Sequence, residues 1–200
     1  MRLILISIAG ISLTCAACTT EVALLADSPD RNTPLVVGRV VTVITGESSR
    51  KYGPEVRFFE LEEERTNKRF NVEIKSEDRR FTIALPPGDY RLNRVEISEG
   101  PFMSMAEMNS SFSVKKDSLT YVGTWRIGVE SPKYGRMVVL SMVMDEVDRT
   151  QAEAYLAKQY PALEGFPVIA VLPEPSTMEG RLYEVMPYPR YPSYFRRHNW

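Results

Sequence analysis

The fold is decided between residues 68 and 97, which read KRFNVEIKSEDRRFTIALPPGDYRLNRVEI. Apolar and polar residues alternate over Lys68–Lys75 and again over Arg80–Leu85. A period of two residues is typical of a strand with one buried face and one exposed face. A third run, Tyr90–Ile97, changes parity partway along, which predicts a β-bulge near Asn93. The stretch therefore predicts three consecutive strands joined by short turns.

Strands of the same kind are predicted on both sides of this stretch, with no helix between them. They are Leu35–Ile44, Glu55–Leu61, Ser111–Lys115, Leu119–Val129 and Arg136–Met144. Eight short strands without intervening helices predict a mainly β fold, an antiparallel β-sandwich over residues 35–144. A small closed barrel is the alternative. The one-sided burial pattern argues against a doubly wound parallel sheet.

One C-terminal helix and an irregular tail are predicted after the sandwich. Residues 145–172 are expected to form the helix and a short extended segment, both packing on the sandwich. The helix is placed at Asp148–Tyr160, with its first residue as N-cap and a proline directly after it, and one face is expected against the sandwich edge. Phe166–Leu172 is the extended segment. Residues 173–200 are rich in proline and tyrosine, which predicts a poorly ordered or surface-draped tail.

One segment carries a family resemblance. Phe81–Leu92, FTIALPPGDYRL, is a strand that runs into a Pro-Pro-Gly turn and a second strand that opens with tyrosine. This arrangement resembles the signature of transthyretin-like and carboxypeptidase-regulatory-like β-sandwiches, and Val37–Val40 and Gly53–Phe58 are similar to that family's first two strands. The family commonly has an Asp-Gly pair before the strand that begins at Phe81, and Asp78–Arg80 lacks this glycine. The resemblance implies an immunoglobulin-like or transthyretin-like sandwich but no particular activity.

The N-terminal residues have the pattern of an export signal. Arg2 is followed by the apolar run LILISIAGISL at residues 3–13, which is too short to span a bilayer. The small residues Ala16 and Ala17 then precede Cys18, and this arrangement resembles the lipobox of bacterial lipoproteins. The resemblance implies that residues 1–17 are a signal peptide and that Cys18 is lipidated.

Lipidation would give the chain a stable membrane anchor. In this family the cysteine thiol carries diacylglycerol and the amine carries another acyl chain, so several chains bury in the bilayer. Cys15 stands where an aliphatic residue is usual, and as the lipidated residue it is a worse match. An ordinary cleaved signal peptide and an uncleaved anchor remain alternatives. In lipoproteins of bacteria with two membranes, aspartate after the cysteine favours the inner membrane, so the resemblance implies that Thr19 favours the outer membrane, with the domain facing the periplasm. Residues 18–34 are predicted to be a polar tether.

Composition excludes several classes of function. The chain has 25 basic and 26 acidic residues, so there is no electrostatic reason to expect a nucleic-acid partner. No cysteine follows Cys18, which excludes a thiolate metal site and a cysteine nucleophile in the folded part. The only histidine, His198, lies in the predicted tail, so no Ser-His-Asp triad is expected. The sequence predicts no catalytic residue, no cofactor and no metal.

A glycosidase needs only two carboxylates, so the composition does not exclude one. Glu60, Glu62, Glu63 and Glu64 form a charge run, interpreted as the solvated end of a hairpin. A second acidic group could bind a cation weakly, although helix capping explains it equally well. That group is Asp145, Glu146 and Asp148.

Two further features have both a functional and a structural interpretation. Met103, Met105 and Met108 suit a soft-metal site or an adaptable contact surface, but an ordinary loop covering the end of the sandwich is favoured. Trp125, beside Tyr121 on a predicted strand, is interpreted as a core aromatic rather than as a sugar-stacking platform.

The tail holds the candidate partner-binding residues Tyr188, Tyr191, Tyr194, Phe195 and Trp200. They are interleaved with prolines and arginines, a composition that suits a protein partner, a glycan or an anionic lipid surface. A tail with no role is the alternative.

The function predicted from these features is that of a membrane-anchored envelope lipoprotein without enzymatic activity. Its sandwich would act as a docking or accessory module for an envelope protein partner. One alternative is a carrier that binds a small molecule or glycan at a sandwich end. The other is a hydrolase of envelope polymers that works through paired carboxylates.

Overall fold

The computed structural model describes residues 19–22, 24–25, 29, 33–45, 52–130 and 137–185. Within these ranges the chain forms two β-sheets, one α-helix and one short 3₁₀ turn. Inward side chains of both sheets meet in a shared hydrophobic core. The mainly β fold predicted from the alternating pattern is therefore confirmed.

Sheet 1 consists of β1 (Thr19–Val22), β3 (Glu55–Glu63), β4 (Lys68–Glu73), β6 (Gly88–Glu99), β7 (Phe102–Val114) and β12 (Tyr183–Glu184). Their order across the sheet is β1-β4-β3-β6-β7-β12. Sheet 2 consists of β2 (Leu35–Ile44), β5 (Arg80–Ala84), β8 (Leu119–Val129), β9 (Met137–Val143), β10 (Val168–Ala170) and β11 (Thr177–Arg181). Its order is β11-β9-β8-β2-β5, and β10 pairs with the first residues of β8.

The strand predictions agree with the structure along most of the sandwich. β2 and β8 have the predicted bounds, and the inward side chains of β4 and β5 and of the residues that follow them are buried as the alternation indicates. These are Phe70, Val72, Ile74, Phe81, Ile83 and Leu85. The bulge near Asn93 is confirmed, because the pairing of β6 with β7 shifts register between Leu92 and Arg94.

Alternation over Glu55–Leu61 predicts Val56 and Phe58 on the inward face, and β3 differs from this prediction. The pairing of β3 with β6 shifts register between Val56 and Phe58, so Phe59 rather than Phe58 enters the core. An irregularity of this kind changes which face the following residues occupy.

The sheets are mixed rather than purely antiparallel, which corrects the prediction. β2 runs parallel to β8, β1 to β4, and β10 to β8. Parallel neighbours need a crossover connection instead of a hairpin. The connection from β2 to β8 contains five other strands. Burial alternation reports which side chains point inward but not the direction of the neighbouring strand.

The centre of the core is aromatic. The ring of Trp125 lies 5.0 Å from that of Phe59 and 5.3 Å from that of Phe81, measured between centroids. Trp125 is 1% exposed, so it is a core aromatic, as interpreted, and offers no surface for stacking a sugar. The Tyr90 hydroxyl donates to the Pro86 carbonyl oxygen at 2.7 Å, which packs this tyrosine back over the Pro-Pro-Gly turn. Burial raises the pKa of Tyr90 to about 12.

The helix α1 spans Glu146–Gln159, and its N-cap lies three residues earlier than predicted. Its N-cap is Asp145, whose carboxylate accepts a hydrogen bond from the Asp148 backbone N–H at 2.7 Å. Asp148 therefore belongs to the first helical turn, because the N-cap side chain bonds an amide three residues later. The helix ends before Pro161, as predicted, and a 3₁₀ turn (Pro161–Leu163) follows.

α1 packs on the outer face of sheet 2 and not on the sandwich edge. Ala152 and Leu156 are buried together with Leu35 and Tyr121 in a second hydrophobic cluster. Tyr160 belongs to the same cluster and donates its hydroxyl to the Leu25 carbonyl oxygen at 2.6 Å. The helix covers the outward apolar side chains near the start of β2 and β8, which are Leu35, Val37, Leu119 and Tyr121.

Two segments predicted to be irregular are strands. The methionine-rich segment is the first part of β7, where Met105 and Met108 are buried, so it is not a loop covering the sandwich end. The segment predicted as the start of the tail forms β11, which pairs with β9, and β12, which pairs with β7. The chain thus crosses from sheet 2 to sheet 1 through the buried Leu182. β10 confirms the predicted extended segment at Phe166–Leu172.

The two ends of the sandwich are formed by different parts of the chain. The bottom consists of the turns at residues 64–67, 85–87 and 115–118. The top consists of Tyr52–Pro54, the β6–β7 hairpin tip at residues 100–101 and the last residues of β2 and β8, which pair through Ile44 and Val129. β6 has 12 residues and runs the full height, about 36–40 Å at 3.3 Å per residue.

Candidate functional site

The residues to which the sequence assigned a role lie outside the described ranges. These are Cys18 and the tail residues Tyr188, Tyr191, Tyr194, Phe195 and Trp200. The structure does describe the residues next to both segments, Thr19 on one side and Val185 on the other. The positions of these two residues indicate where the chain joins the sandwich and where it leaves.

The described chain begins at the bottom of the sandwich. β1 pairs in parallel with β4, and Thr19 lies opposite Arg69, one residue after the first residue of β4. The predicted tether at residues 18–34 is therefore partly wrong, because its first residues are an edge strand of sheet 1. Leu24 and Leu25 also pack against the two hydrophobic clusters. The polar composition of residues 21–34 indicated a tether, but the four residues Thr19–Val22 form a short strand.

The described chain ends at the top. β12 places Glu184 opposite Ser104, and the Val185 backbone N–H donates to the Met103 carbonyl oxygen at 2.9 Å. Met103 is one residue from the start of β7 and so lies beside the β6–β7 hairpin tip. Val185, the last described residue, therefore lies at the end of the sandwich opposite to Thr19.

The top also carries most of the large exposed hydrophobic side chains of the described ranges. Five are at or near the top: Val43, Ile44, Tyr52, Phe102 and Tyr183. Val147 on α1 and Leu172 after β10 lie elsewhere. Clusters of exposed apolar side chains mark interaction surfaces more often than isolated ones do.

Tyr52 is held in place at the top by the hairpin tip. Its ring lies against Gly100, where a Cβ atom would be 2.6 Å from the ring. Gly100 has φ +61°, a left-handed conformation that glycine adopts without strain, so this position suits glycine for two reasons. The adjoining segment is fixed by Thr42, whose hydroxyl donates to the Pro54 carbonyl oxygen at 2.7 Å.

The outer face of sheet 1 contains a network of charged residues that the sequence analysis missed. Glu60 is 0% exposed, and its carboxylate accepts hydrogen bonds from Arg94 Nη2 at 2.6 Å and from Asn93 Nδ2 at 2.7 Å. Arg69 Nη1 lies 3.8 Å from the same carboxylate. Glu60 was interpreted as part of a solvated hairpin end, and that interpretation is wrong.

Glu62 and Glu63 are buried as well. Glu62 accepts hydrogen bonds from Arg69 Nε at 3.0 Å and from Arg91. Glu63 turns back into the β3–β4 turn, where its carboxylate accepts hydrogen bonds from the Thr66 hydroxyl and from two backbone N–H groups. These bonds hold the pKa of Glu63 below its ordinary value, the Thr66 bond most of all. Of the four glutamates only Glu64 is exposed.

The alternating pattern of β3 contained a signal for this network. Glu60 and Glu62 are two residues apart, so they share one face, and cross-strand pairing places Arg94 and Arg91 directly opposite them. Opposite charges at facing positions on neighbouring strands stabilise a sheet. The partners are remote in sequence, however, and the pairing of β3 with β6 is needed to recognise them.

A crevice of about 310 Å³ lies between α1 and the segment that leads into β10. Leu119, Leu156 and Phe166 are among its apolar lining residues, and the ion pair of Arg149 with Glu153, at 3.0 Å, also lines it. The gap between the sheets, around Trp125, leaves no room for a water molecule. Among the described residues, the helix crevice is thus a better ligand site than the sandwich interior.

The acidic side chains at the start of α1 stabilise the helix. Asp145 is the N-cap, and Glu146 and Asp148 lie in the first turn, where negative charge stabilises the helix dipole. In the described ranges no group of three or more His, Cys, Asp or Glu side chains is placed to hold a metal ion. No helix in the same ranges is both long and apolar enough to cross a membrane.

No protein-family model matches the chain, and no curated protein or solved structure matches it either. Its function is therefore inferred from the arrangement of its own residues: the chain joins the sandwich at the bottom and leaves it at the top, beside an exposed apolar surface.

Proposed function

We propose that this chain is a lipid-anchored, non-enzymatic lipoprotein of the bacterial cell envelope, and that its sandwich docks a protein partner through the top. Cys18 is the lipidated residue and carries the anchor. The membrane is the outer membrane, with the domain facing the periplasm, and no cofactor is required. The sandwich is of the transthyretin-like or immunoglobulin-like kind.

The observation that carries the docking role is the arrangement of the two ends. Thr19, next to the proposed anchor, lies at the bottom, whereas Val185 and the exposed Tyr52 and Phe102 lie at the top. A partner that approaches from the side away from the membrane meets these aromatic rings first. Aromatic side chains contribute much of the binding energy in protein interfaces. The proposed docking surface includes the tail aromatics Tyr188 to Trp200, which follow Val185 in the sequence.

The proposal that the protein is not an enzyme is supported by the ion pairs that the candidate carboxylates form. Glu60 and Glu62 lie on a sheet face, and each is bound by arginine guanidinium groups. Paired catalytic carboxylates need a substrate between them.

The lipid anchor is tested by replacing the cysteine. Cys18→Ala should accumulate as an unprocessed precursor, because the modifying and cleaving enzymes act on that thiol. Cys15→Ala is the matched control, and it should be processed and membrane-bound like the wild type. Mature-length, membrane-bound protein from Cys18→Ala would refute the assignment.

The docking surface is tested by chemical crosslinking in the native envelope followed by mass spectrometry. The double variant Tyr52→Ser/Phe102→Ser should reduce the yield of each specific crosslinked partner about tenfold, because it removes two exposed rings. The control is Val147→Ser, which removes an exposed apolar side chain from α1 and should leave the yield unchanged. Deleting residues 186–200 should also weaken the association while leaving the melting temperature nearly unchanged. Equal yields from the double variant and the wild type would contradict docking at the top.

The crevice beside α1 favours one alternative, a carrier of a small molecule. Its volume is at the lower limit of ligand pockets, about 300–1,000 Å³, and most of its lining is apolar. Native mass spectrometry of protein purified from its own envelope distinguishes the two functions. A bound small molecule that is lost on Leu119→Arg substitution would favour the carrier.

A further inference from the structure

We infer that the bottom of the sandwich lies directly against the phospholipid headgroups, without a flexible spacer between lipid and domain. The inference rests on the proposed lipidation of Cys18 and adds the position of the domain on the membrane. The partner is the headgroup layer itself, and the contact surface consists of the turns at residues 64–67, 85–87 and 115–118.

The covalent geometry carries the inference. Consecutive Cα atoms are 3.8 Å apart, so Thr19 lies within about 4 Å of the Cα of Cys18. Thr19 is paired with Arg69 in sheet 1, and neighbouring strands are about 4.8 Å apart. Arg69 is therefore within about 10 Å of the acylated residue, which has to remain at the membrane surface. The β3–β4 turn, which ends two residues before Arg69, is comparably close.

Electrostatic attraction is too weak to explain such a contact by itself. Four basic side chains are exposed at the bottom: Arg65, Lys68, Lys115 and Lys116. Three exposed acids oppose them: Glu64, Asp89 and Asp117. Glu64 and Asp89 also accept hydrogen bonds from Ser111 and Ser113, both on β7. Because the charges nearly cancel, attachment through β1 and not anionic lipid should hold the bottom at the membrane.

The direction of β1 determines which end faces away. β1 runs parallel to β4, so it starts at the bottom and continues toward the top. The top is about 36–40 Å from the bottom if the strands stand upright. Tyr52 and Phe102 would then be well beyond the headgroup layer, on the side where a periplasmic partner approaches. The same attachment that holds the bottom at the membrane thus presents the proposed docking surface.

The experiment uses full-length lipidated protein in vesicles that contain a nickel-chelating lipid. No native cysteine follows Cys18, so a single nitroxide label is attached through Arg65→Cys or Lys116→Cys at the bottom and Phe102→Cys at the top. Headgroup nickel accelerates the spin relaxation of nearby labels. We expect at least fivefold faster relaxation at positions 65 and 116 than at position 102, and the same ratio in neutral and anionic vesicles.

A spacer variant is the matched control. Twelve Gly and Ser residues inserted between Thr19 and Thr20 have a root-mean-square length of about 20 Å. In neutral vesicles this insertion should abolish the fast relaxation at positions 65 and 116. If it has no effect, the bottom is held at the membrane by something other than its short attachment, and the inference is wrong.

Failure of the inference is distinguishable from failure of the proposed anchor. Flotation with the vesicles and the intact mass of the protein report lipidation independently of the label. Protein that is not lipidated and does not float refutes both the anchor and the membrane contact. Lipidated, floating protein with equal relaxation at positions 65 and 102 means that the domain lies on its side, which refutes the membrane contact alone.

Discussion

The two sheets cover their outer faces by different means. On sheet 2, α1 places the buried Ala152 and Leu156 over outward apolar residues such as Tyr121. On sheet 1, the buried carboxylates of Glu60 and Glu62 lie beneath arginines that remain about one third exposed. Of the large exposed apolar side chains in the described ranges, most lie at or near the top. This distribution favours an end of the sandwich, not a face, for the proposed docking surface.

The largest expected effect concerns the charged face. Arg94→Met removes the guanidinium that lies 2.6 Å from the fully buried Glu60 carboxylate. A buried charge that loses its partner costs about 3 kcal/mol of stability. Arg65→Met is the control, because Arg65 is 83% exposed and 3.9 Å from its partner, Glu63, and it should have almost no effect. Urea unfolding of the two variants measures the difference, and similar midpoints would mean that sheet 1 carries ordinary surface ion pairs.

A smaller effect is expected on the helical face. Leu156→Ala leaves a cavity between α1 and sheet 2 and should lower the free energy of unfolding by about 2 kcal/mol. Val147→Ala, on the exposed side of the same helix, should change it by less than about 0.5 kcal/mol. Thermal unfolding checks both variants. If Leu156→Ala unfolds at the wild-type temperature, α1 does not cover sheet 2 in solution.

The smallest effect concerns the start of α1. Asp145→Ala removes the N-cap hydrogen bond and should cost about 1 kcal/mol. Asp148→Ala, at the position that the sequence analysis assigned to the cap, should cost less, because Asp148 contributes only its charge to the first turn. Unfolding free energies of the two variants decide which aspartate is the cap. A larger loss for Asp148→Ala would contradict the assignment to Asp145.

The alternating strands were predictable from sequence because burial on one side of a sheet leaves a period of two. β4 and β5 were predicted for this reason, whereas β2 was predicted from its β-branched and apolar composition. β11 was missed because its sequence, TMEGR, contains only one apolar residue, and it is a strand because β9 offers an edge with which to pair. A Pro-Gly pair in a turn is typical of a glycine with positive φ. Gly88 nevertheless belongs to β6, and the positive-φ glycines include Gly100, which follows the other end of the same strand.

The candidate site was predictable only in part. An exposed aromatic is recognisable in sequence as a residue type, but its exposure is not, and Tyr52 and Phe102 were not singled out. Their shared position depends on the pairing of β6 with β7 and on the close contact of Tyr52 with Gly100. Glu60 was misread for a similar reason, because its partner Arg94 is 34 residues away along the chain. Contacts between residues that are remote in sequence depend on which strands pair, and the local sequence pattern does not predict this pairing.

The central claim is that the mature protein is held at a membrane through Cys18, with the sandwich attached directly after it. The most direct test is the intact mass of protein extracted with detergent from its native membrane. We predict a chain that begins at Cys18 and carries the added mass of one diacylglycerol and one amide-linked acyl chain. A mature chain that begins at any other residue, or one whose Cys18 thiol is unmodified, would contradict the account.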